Sequence, residues 1–204
     1  MLKTRIAVLV SGGGTNLQAL IDSERAGRIP SGEIRLVLSN CEDAYALKRA
    51  QRYGIETAVV IRQKGESRES FDRRMLEILV SHDIQMLILA GFMAILSEEF
   101  VRNYPDRIIN VHPALIPSFC GKGFYGLKVH EAALAYGVKV TGATVHLVNE
   151  VPDGGRILLQ KAVDVLDTDT PETLQRRVME QAEWVLLPQA AEMIAHRIMK
   201  EEKP

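Results

Sequence analysis

Residues Arg107 to Gly126 read RIINVHPALIPSFCGKGFYG, and how this stretch begins and ends decides the architecture. Its start is an apolar, β-branched run suited to a buried strand, and Pro113 and Pro117 stop regular structure just beyond it. The run delivers Asn110 and His112 to the strand's C-terminal end. Open parallel sheets bind ligands beyond the carboxyl ends of their strands, so a polar pair there is well placed for chemistry. On an extended backbone a spacing of two turns both side chains to one face, where they can converge on one reacting group. Taken alone, the pair fits equally a strand-end turn asparagine and a hydrogen-bonded core histidine.

Upstream of this stretch, strands expected at 5–11, 33–39, 56–60 and 86–90 alternate with helices expected after Gly14 and at about 44–53 and 68–82. Short connections between such units predict a parallel sheet wound on both faces with right-handed crossovers. Downstream, 127–136 reads as a helix that ends at Gly137 and carries His130 at a surface or packing position. Strands at 143–148 and 157–163 follow, joined closely enough for an antiparallel pair. In that connection Asp153 precedes two glycines and reads, in isolation, as a turn former. Thr170-Pro171-Glu172 opens a last helix that runs to about Lys200 with an irregularity at Pro188, and the closing EEKP reads as a frayed tail. The expected fold class is therefore α/β: an open, mostly parallel, doubly wound sheet with an antiparallel C-terminal strand pair and a long C-terminal helix. One domain spans 1–204.

Composition excludes several classes. A net charge of −1 gives nucleic acid or an anionic membrane no general electrostatic attraction. The N-terminal apolar run is too short to span a bilayer and leads into glycines rather than a cleavage site, which predicts a cytoplasmic protein. Cys41 and Cys120 form no CxxC pair, and the histidines and acids show no ligand spacing, so neither a disulfide framework nor a metal is expected. Cys120 lies near the candidate site but has no activating partner, and reads as a packing or loop residue.

The first strand runs into Gly12, Gly13, Gly14, Thr15 and Asn16 before the helical pattern of Leu17, Leu20 and Ile21. Strand, glycine turn, helix start is an arrangement suited to a phosphate, with side-chain donors added by Thr15 and Asn16; a tight turn without a ligand is the alternative. A dinucleotide fingerprint fails, because Leu17 stands where a third glycine belongs and the second strand ends in Ser39-Asn40 instead of a carboxylate. No Gly-Lys-Ser/Thr follows the glycines, so a P-loop fails too. Gly91 to Leu96 is an apolar stretch leaving a sheet edge, suited either to a flat aromatic ring or to ordinary core packing.

SGGGTNL at 11–17, AGFMAILS at 90–97, NVHPALIPSF at 110–119, and TGATVHLV at 141–148 leading to EVPDGG together resemble the phosphoribosylglycinamide formyltransferase family. The motifs stand in the family's order over nearly the whole chain. The resemblance implies a Rossmann-like formyltransferase fold whose N-terminal half binds a nucleotide phosphate and whose C-terminal half binds folate and carries the catalysis. It implies Asn110, His112 and Asp153 as catalytic residues, with Thr144 and His146 on the strand facing them. Gly13, Gly14, Thr15 and Asn16 fall on the ribonucleotide phosphate loop, and Glu183 on the glutamate that helps hold the nucleotide. On the folate side fall Arg68, Met93, Ala94, Ile95, Leu96, Val101, Asn110, Asn149 and Glu150. Asn149 and Arg156 stand where the family usually carries Asp and Pro, and Ala94 where some relatives carry arginine.

The implied reaction moves a formyl group from 10-formyltetrahydrofolate, as co-substrate, to the amine of glycinamide ribonucleotide, in purine biosynthesis. The implied partners are that nucleotide and a reduced folate, with no nucleic acid, membrane or metal, and with the chain a monomer or homodimer. The substrate amine attacks directly, so no protein nucleophile is needed. Asn110 and a protonated His112 can donate hydrogen bonds to the oxyanion, while Asp153 holds the charged His112 and assists proton transfer. The rivals are another formyl-folate enzyme, of the hydrolase or tRNA formyltransferase type, and a non-catalytic folate or nucleotide sensor. Those two enzymes resemble longer chains with added domains, so length counts against them; the intact Asn110, His112 and Asp153 set counts against the sensor.

Overall fold

The computed structural model describes residues 3–201. Seven strands, β1 (Thr4–Val10), β2 (Gly32–Ser39), β3 (Glu56–Val59), β4 (Met86–Leu89), β5 (Ile108–His112), β6 (Val140–Leu147) and β7 (Ile157–Asp164), form one sheet in the order β3-β2-β1-β4-β5-β6-β7. The first five in sequence pair in parallel, while β6 runs antiparallel to both β5 and β7. This is the expected class, with each strand within three residues of its expected bounds. β6 starts earliest relative to expectation, because its pairing with β7 extends back to Val140 opposite Asp164.

The alternation of β1 explains its central place. Ile6, Val8 and Val10 enter one core, shared with α1 (Thr15–Arg25) and the C-terminal helices, while Ala7 and Leu9 enter a second core beneath α3 (Arg68–Ser81) and α4 (Glu98–Arg102). A strand buried on both faces needs apolar residues at every position, and Ile6 to Val10 supplies them. Side chains cap several helix starts: Ser67 accepts from the Ser70 N–H, Ser97 from the Phe100 N–H, and Thr170 forms a capping box with Thr173 ahead of α6 (Pro171–Val178). The start of α1 differs, because its cap is Gly14 and no side chain closes it. α2 (Tyr45–Arg52) packs beside that glycine, and α5 (Leu127–Tyr136) ends as expected at Gly137 in the left-handed conformation.

Two expectations at the C-terminus need correction. The irregularity is not at Pro188, which lies inside α7 (Trp184–Glu201), but in a π-helical turn, Met179–Glu183, between α6 and α7. A proline lacks an N–H and crowds the carbonyl four residues before it, here that of Trp184, so the disturbance falls one turn upstream of the ring. Of the expected frayed tail, Glu201 is the last residue of α7 and pairs with Arg107 at 3.3 Å and Arg197 at 3.6 Å; residues 202–204 lie outside the described residues. Among the described residues no helix is long and apolar enough to cross a membrane.

Candidate functional site

The order of strands reverses between β1 and β4, so the loops leaving their carboxyl ends part around a crevice. The Ser11 hydroxyl accepts from the Met93 N–H at 2.8 Å, tying these two loops together. One strand further on, β5 ends in Asn110 and His112, which share the face of Ile108, opposite that of Ile109 and Val111. The antiparallel register sets His146 beside Asn110 and Thr144 beside His112.

Each polar group is held by identifiable partners. His146, 2% exposed, has its Nδ1 2.8 Å from the Leu147 carbonyl, to which it donates. Its Nε2 lies 3.2 Å from the Asn110 amide nitrogen and accepts from it while the ring is neutral. This spends one amide hydrogen of Asn110 and leaves the other. His112 donates from Nε2 to the Phe119 carbonyl at 2.8 Å, which turns Nδ1 to Asp153 Oδ2, 3.6 Å away. Asp153 Oδ1 lies 3.6 Å from His146 Nε2, and Oδ2 accepts from the Gly121 N–H at 2.8 Å. Two histidines and a backbone N–H thus converge on one carboxylate.

Asp153 reaches this point through its turn. The Gly154 N–H donates to the Val151 carbonyl at 2.9 Å, and Asp153 takes a φ of 56° at the third position, after Pro152. Glycine usually fills that position in a type II turn; an Asp there accepts a modest backbone cost, of the kind found at functional sites. Asp153 is therefore both the expected turn former and part of the site. Burial alone would raise its carboxyl, but the His146 contact, the His112 charge and the Gly121 N–H outweigh burial and hold it below the usual value. Cys120, whose thiol donates to the Pro117 carbonyl, is pushed up by burial and then by Asp153, so it stays a thiol and not a nucleophile.

Outward from this cluster lies a cleft of about 120 Å³. Leu89, Phe92, Ala94, Ile95 and Leu96 line it together with residues 148–153, Asn110 and His146. Of the expected folate-side residues, Ala94, Ile95, Leu96, Asn110, Asn149 and Glu150 line it. Met93 is 55% exposed and does not, Val101 packs from α4 against the core, and Arg68 is an exposed residue opening α3.

A second group gathers at the start of α1. Asn16 donates from its amide to Glu183 Oε2 at 2.7 Å, across 167 residues of sequence. Glu183 is 6% exposed, and burial, opposed in part by Asn16, pushes its carboxyl up to about 7. Asn16 Oδ1 is buried and has no partner. The Thr15 hydroxyl makes a long contact to the Met179 sulfur, 3.8 Å. The π-helical turn brings Glu183 here by ending directly beside α1.

Sequence reasoning missed the backbone partners, Phe119 O and Gly121 N–H, because no side chain signals them. It missed Gln160 too, which a period-two reading of β7 against Thr144 would have found. Gln160 donates to the Ile116 carbonyl at 3.0 Å and to Thr144 Oγ1 at 2.9 Å, and Thr144 donates to the Ala114 carbonyl at 2.7 Å. Thr144 therefore holds the loop after His112 from below. His130 is fully buried with neither ring nitrogen partnered, and burial, then the His112 charge, lower it to about 4, so it packs as a neutral ring.

The chain matches the Formyl transferase family over residues 4–190. It is 43% identical over 193 residues to the trifunctional purine biosynthetic protein adenosine-3 of Gallus gallus, covering 95% of this chain and 18% of that one. It is 40% identical to the phosphoribosylglycinamide formyltransferase of Escherichia coli (strain K12), covering 86% of this chain and 80% of the relative. The crystal structure of glycinamide ribonucleotide transformylase 1 from Symbiobacterium toebii superposes with a TM-score of 0.89 at 40% identity, over 96% of this chain and 89% of the other. The chain thus spans under a fifth of the trifunctional relatives and most of the monofunctional ones.

Proposed function

The chain belongs to the formyl transferase family, and on that premise we propose that it is a phosphoribosylglycinamide formyltransferase acting as a single domain over 1–204. The reaction transfers the formyl group of 10-formyltetrahydrofolate to the amine of glycinamide ribonucleotide, a step of purine biosynthesis. The observation that carries this reading is the convergence of Asn110, His112, His146 and Asp153 beside a cleft that Asn110, His146 and Asp153 line. A reduced folate, when bound, supplies an activated formyl carbon. The lining suits such a molecule: Leu89, Phe92, Ile95 and Leu96 offer a flat ring apolar surface, and Asn110, His146 and Asp153 supply polar groups.

The chain's residues then divide the work. The ends of β1 and β5 are two strand spacings apart, roughly 10 Å. A ribose phosphate bearing a short amide arm can bridge that distance, with its phosphate on the N–H groups of residues 13–16 and its amine beside His112. Glu183 and Asn16 hold the sugar end between them. When the amine attacks, charge develops on the formyl oxygen and a proton must leave the nitrogen. Asn110 has its second amide hydrogen to give the oxygen, and its orientation is fixed by His146. His112 is fixed by the Phe119 carbonyl with Nδ1 toward Asp153, so a proton taken up there is balanced by the carboxylate. Asp153, ionised and anchored by Gly121, serves as the proton relay from amine to leaving nitrogen.

The test is formyl transfer to synthetic glycinamide ribonucleotide followed by folate absorbance, with a control lacking nucleotide and with Asp153→Asn alongside. Nucleotide-dependent turnover that is lost in the variant is expected. Folate breakdown without nucleotide would replace this reading with a hydrolase.

A further inference from the structure

The glycine turn is held from behind by α2. Arg49 donates from Nε to the Gly13 carbonyl at 2.8 Å and from Nη1 to Gln18 Oε1 at 3.2 Å, and its guanidinium lies over the Tyr45 ring, 5.1 Å from the centroid. Three contacts on α1, the turn and α2 leave it one geometry. Beside it the Ala46 N–H donates to the Gly12 carbonyl at 3.0 Å. Both leading carbonyls of the turn therefore point at α2. A trans peptide sets its C=O and the following N–H in opposite directions, so the N–H groups of Gly13 and Gly14 point away from α2.

The space around the turn is equally one-sided. Gly14 has a φ of 73°, and a Cβ there would lie 2.6 Å from Ala46 Cβ and 2.8 Å from Ala46 Cα. A Cβ at Gly12 or Gly13 would meet nothing within 4 Å. The turn is closed toward α2 and open on the other side, and two residues on, Asn16 carries a buried Oδ1 that has no partner among the described residues. Arg49 faces no carboxylate within ion-pairing distance among the described residues, so its charge is not cancelled locally.

We propose that Arg49 is a positioning residue for the nucleotide phosphate, holding the Gly13 carbonyl from the far side so that the Gly14 N–H is aimed at the phosphate and strengthened as a donor. The inference rests on the phosphate reading of residues 13–16. A cation on the oxygen side of a peptide polarises it, and charge-assisted contacts are roughly twice as strong as neutral ones.

The experiment compares glycinamide ribonucleotide with its dephosphorylated nucleoside, measuring Kd for each by titration calorimetry on wild type and Arg49→Met, with kcat at saturating nucleotide. The nucleotide Kd should rise by about tenfold or more, while the nucleoside Kd and kcat stay within about twofold, so the preference for the phosphorylated ligand shrinks by the same factor. An equal loss for both ligands, or no loss, would overturn the role given to Arg49. A wild type without preference for the nucleotide would overturn the phosphate reading beneath it. Arg49→Leu carries the same expectation if Arg49→Met does not fold.

Discussion

Replacing Glu183 with glutamine should make the protein more stable at neutral pH and weaker as a nucleotide binder. The carboxyl is buried, has one hydrogen bond, from Asn16, and sits at about 7 against an ordinary 4.5. Between those values the unfolded chain has lost this proton and the folded chain still holds it. Unfolding therefore releases a proton, and stability falls as pH rises through that window, levelling off above about 7. The difference, at about 1.4 kcal/mol per pH unit, comes to about 3 kcal/mol. Glutamine keeps an acceptor for the Asn16 amide and has nothing to ionise. Urea unfolding of both proteins at several pH values from 4 to 8 isolates the effect, because every other titrating group cancels in the difference. The variant's advantage over wild type should grow by about 3 kcal/mol across the series, with unchanged m. A difference that stays constant with pH would refute the claim that burial of Glu183 is an ionic cost carried for function.

Both ring nitrogens of His112 are taken, by the Phe119 carbonyl and Asp153, so the oxyanion donor expected of it is left to Asn110; His112→Ala should instead disable the Asp153 proton relay and lower kcat by on the order of a hundredfold or more with nucleotide binding nearly unchanged, read from turnover and calorimetry together. Asn16→Ala should instead raise the nucleotide's KM, because it removes the one side-chain hydrogen bond to the Glu183 carboxyl among the described residues and a donor at the α1 start; a pure kcat loss would contradict that placement. Gly155→Ala would drive its methyl group into the Leu147 carbonyl, a backbone atom that cannot turn aside. The turn carrying Asp153 must then shift, so thermal melts should show a loss of about 2 kcal/mol or more, and kcat should fall with it.

The sheet was legible because strand and helix periods are local properties, and runs such as Ile6–Val10 or Met86–Leu89 allow few readings. The pair Asn110 and His112 was legible for the same reason, since a spacing of two on a strand is geometry in one dimension. What joins them to Asp153 was not. The Gly121 N–H and the Phe119 carbonyl belong to every residue alike, and only the folded loop selects them. Family resemblance brought Glu183 forward, but its burial against Asn16 follows from helix packing across most of the chain. Pro188 signalled a break and misplaced it, because the ring's missing N–H acts on the turn before it.

That displaced break governs how the C-terminal rod meets the sheet. Helices α6 and α7 follow each other without a gap through that turn but differ in phase. Val178 and Ile194 both face the core, yet sixteen residues at about 100° each would put Ile194 roughly 160° round from Val178, on the far side. One surplus residue absorbed in Met179–Glu183 cuts that angle to about 60°, and both stripes fall on the sheet. The step from Val178 to Ala182, both fully buried, spans this turn at a spacing of four. A single-residue deletion in this turn would therefore remove the bulge without rotating either helix: the remaining regular steps at about 100° each give the same angle of about 60°, so both apolar faces stay on the sheet and what is lost is the local geometry that brings Glu183 to Asn16.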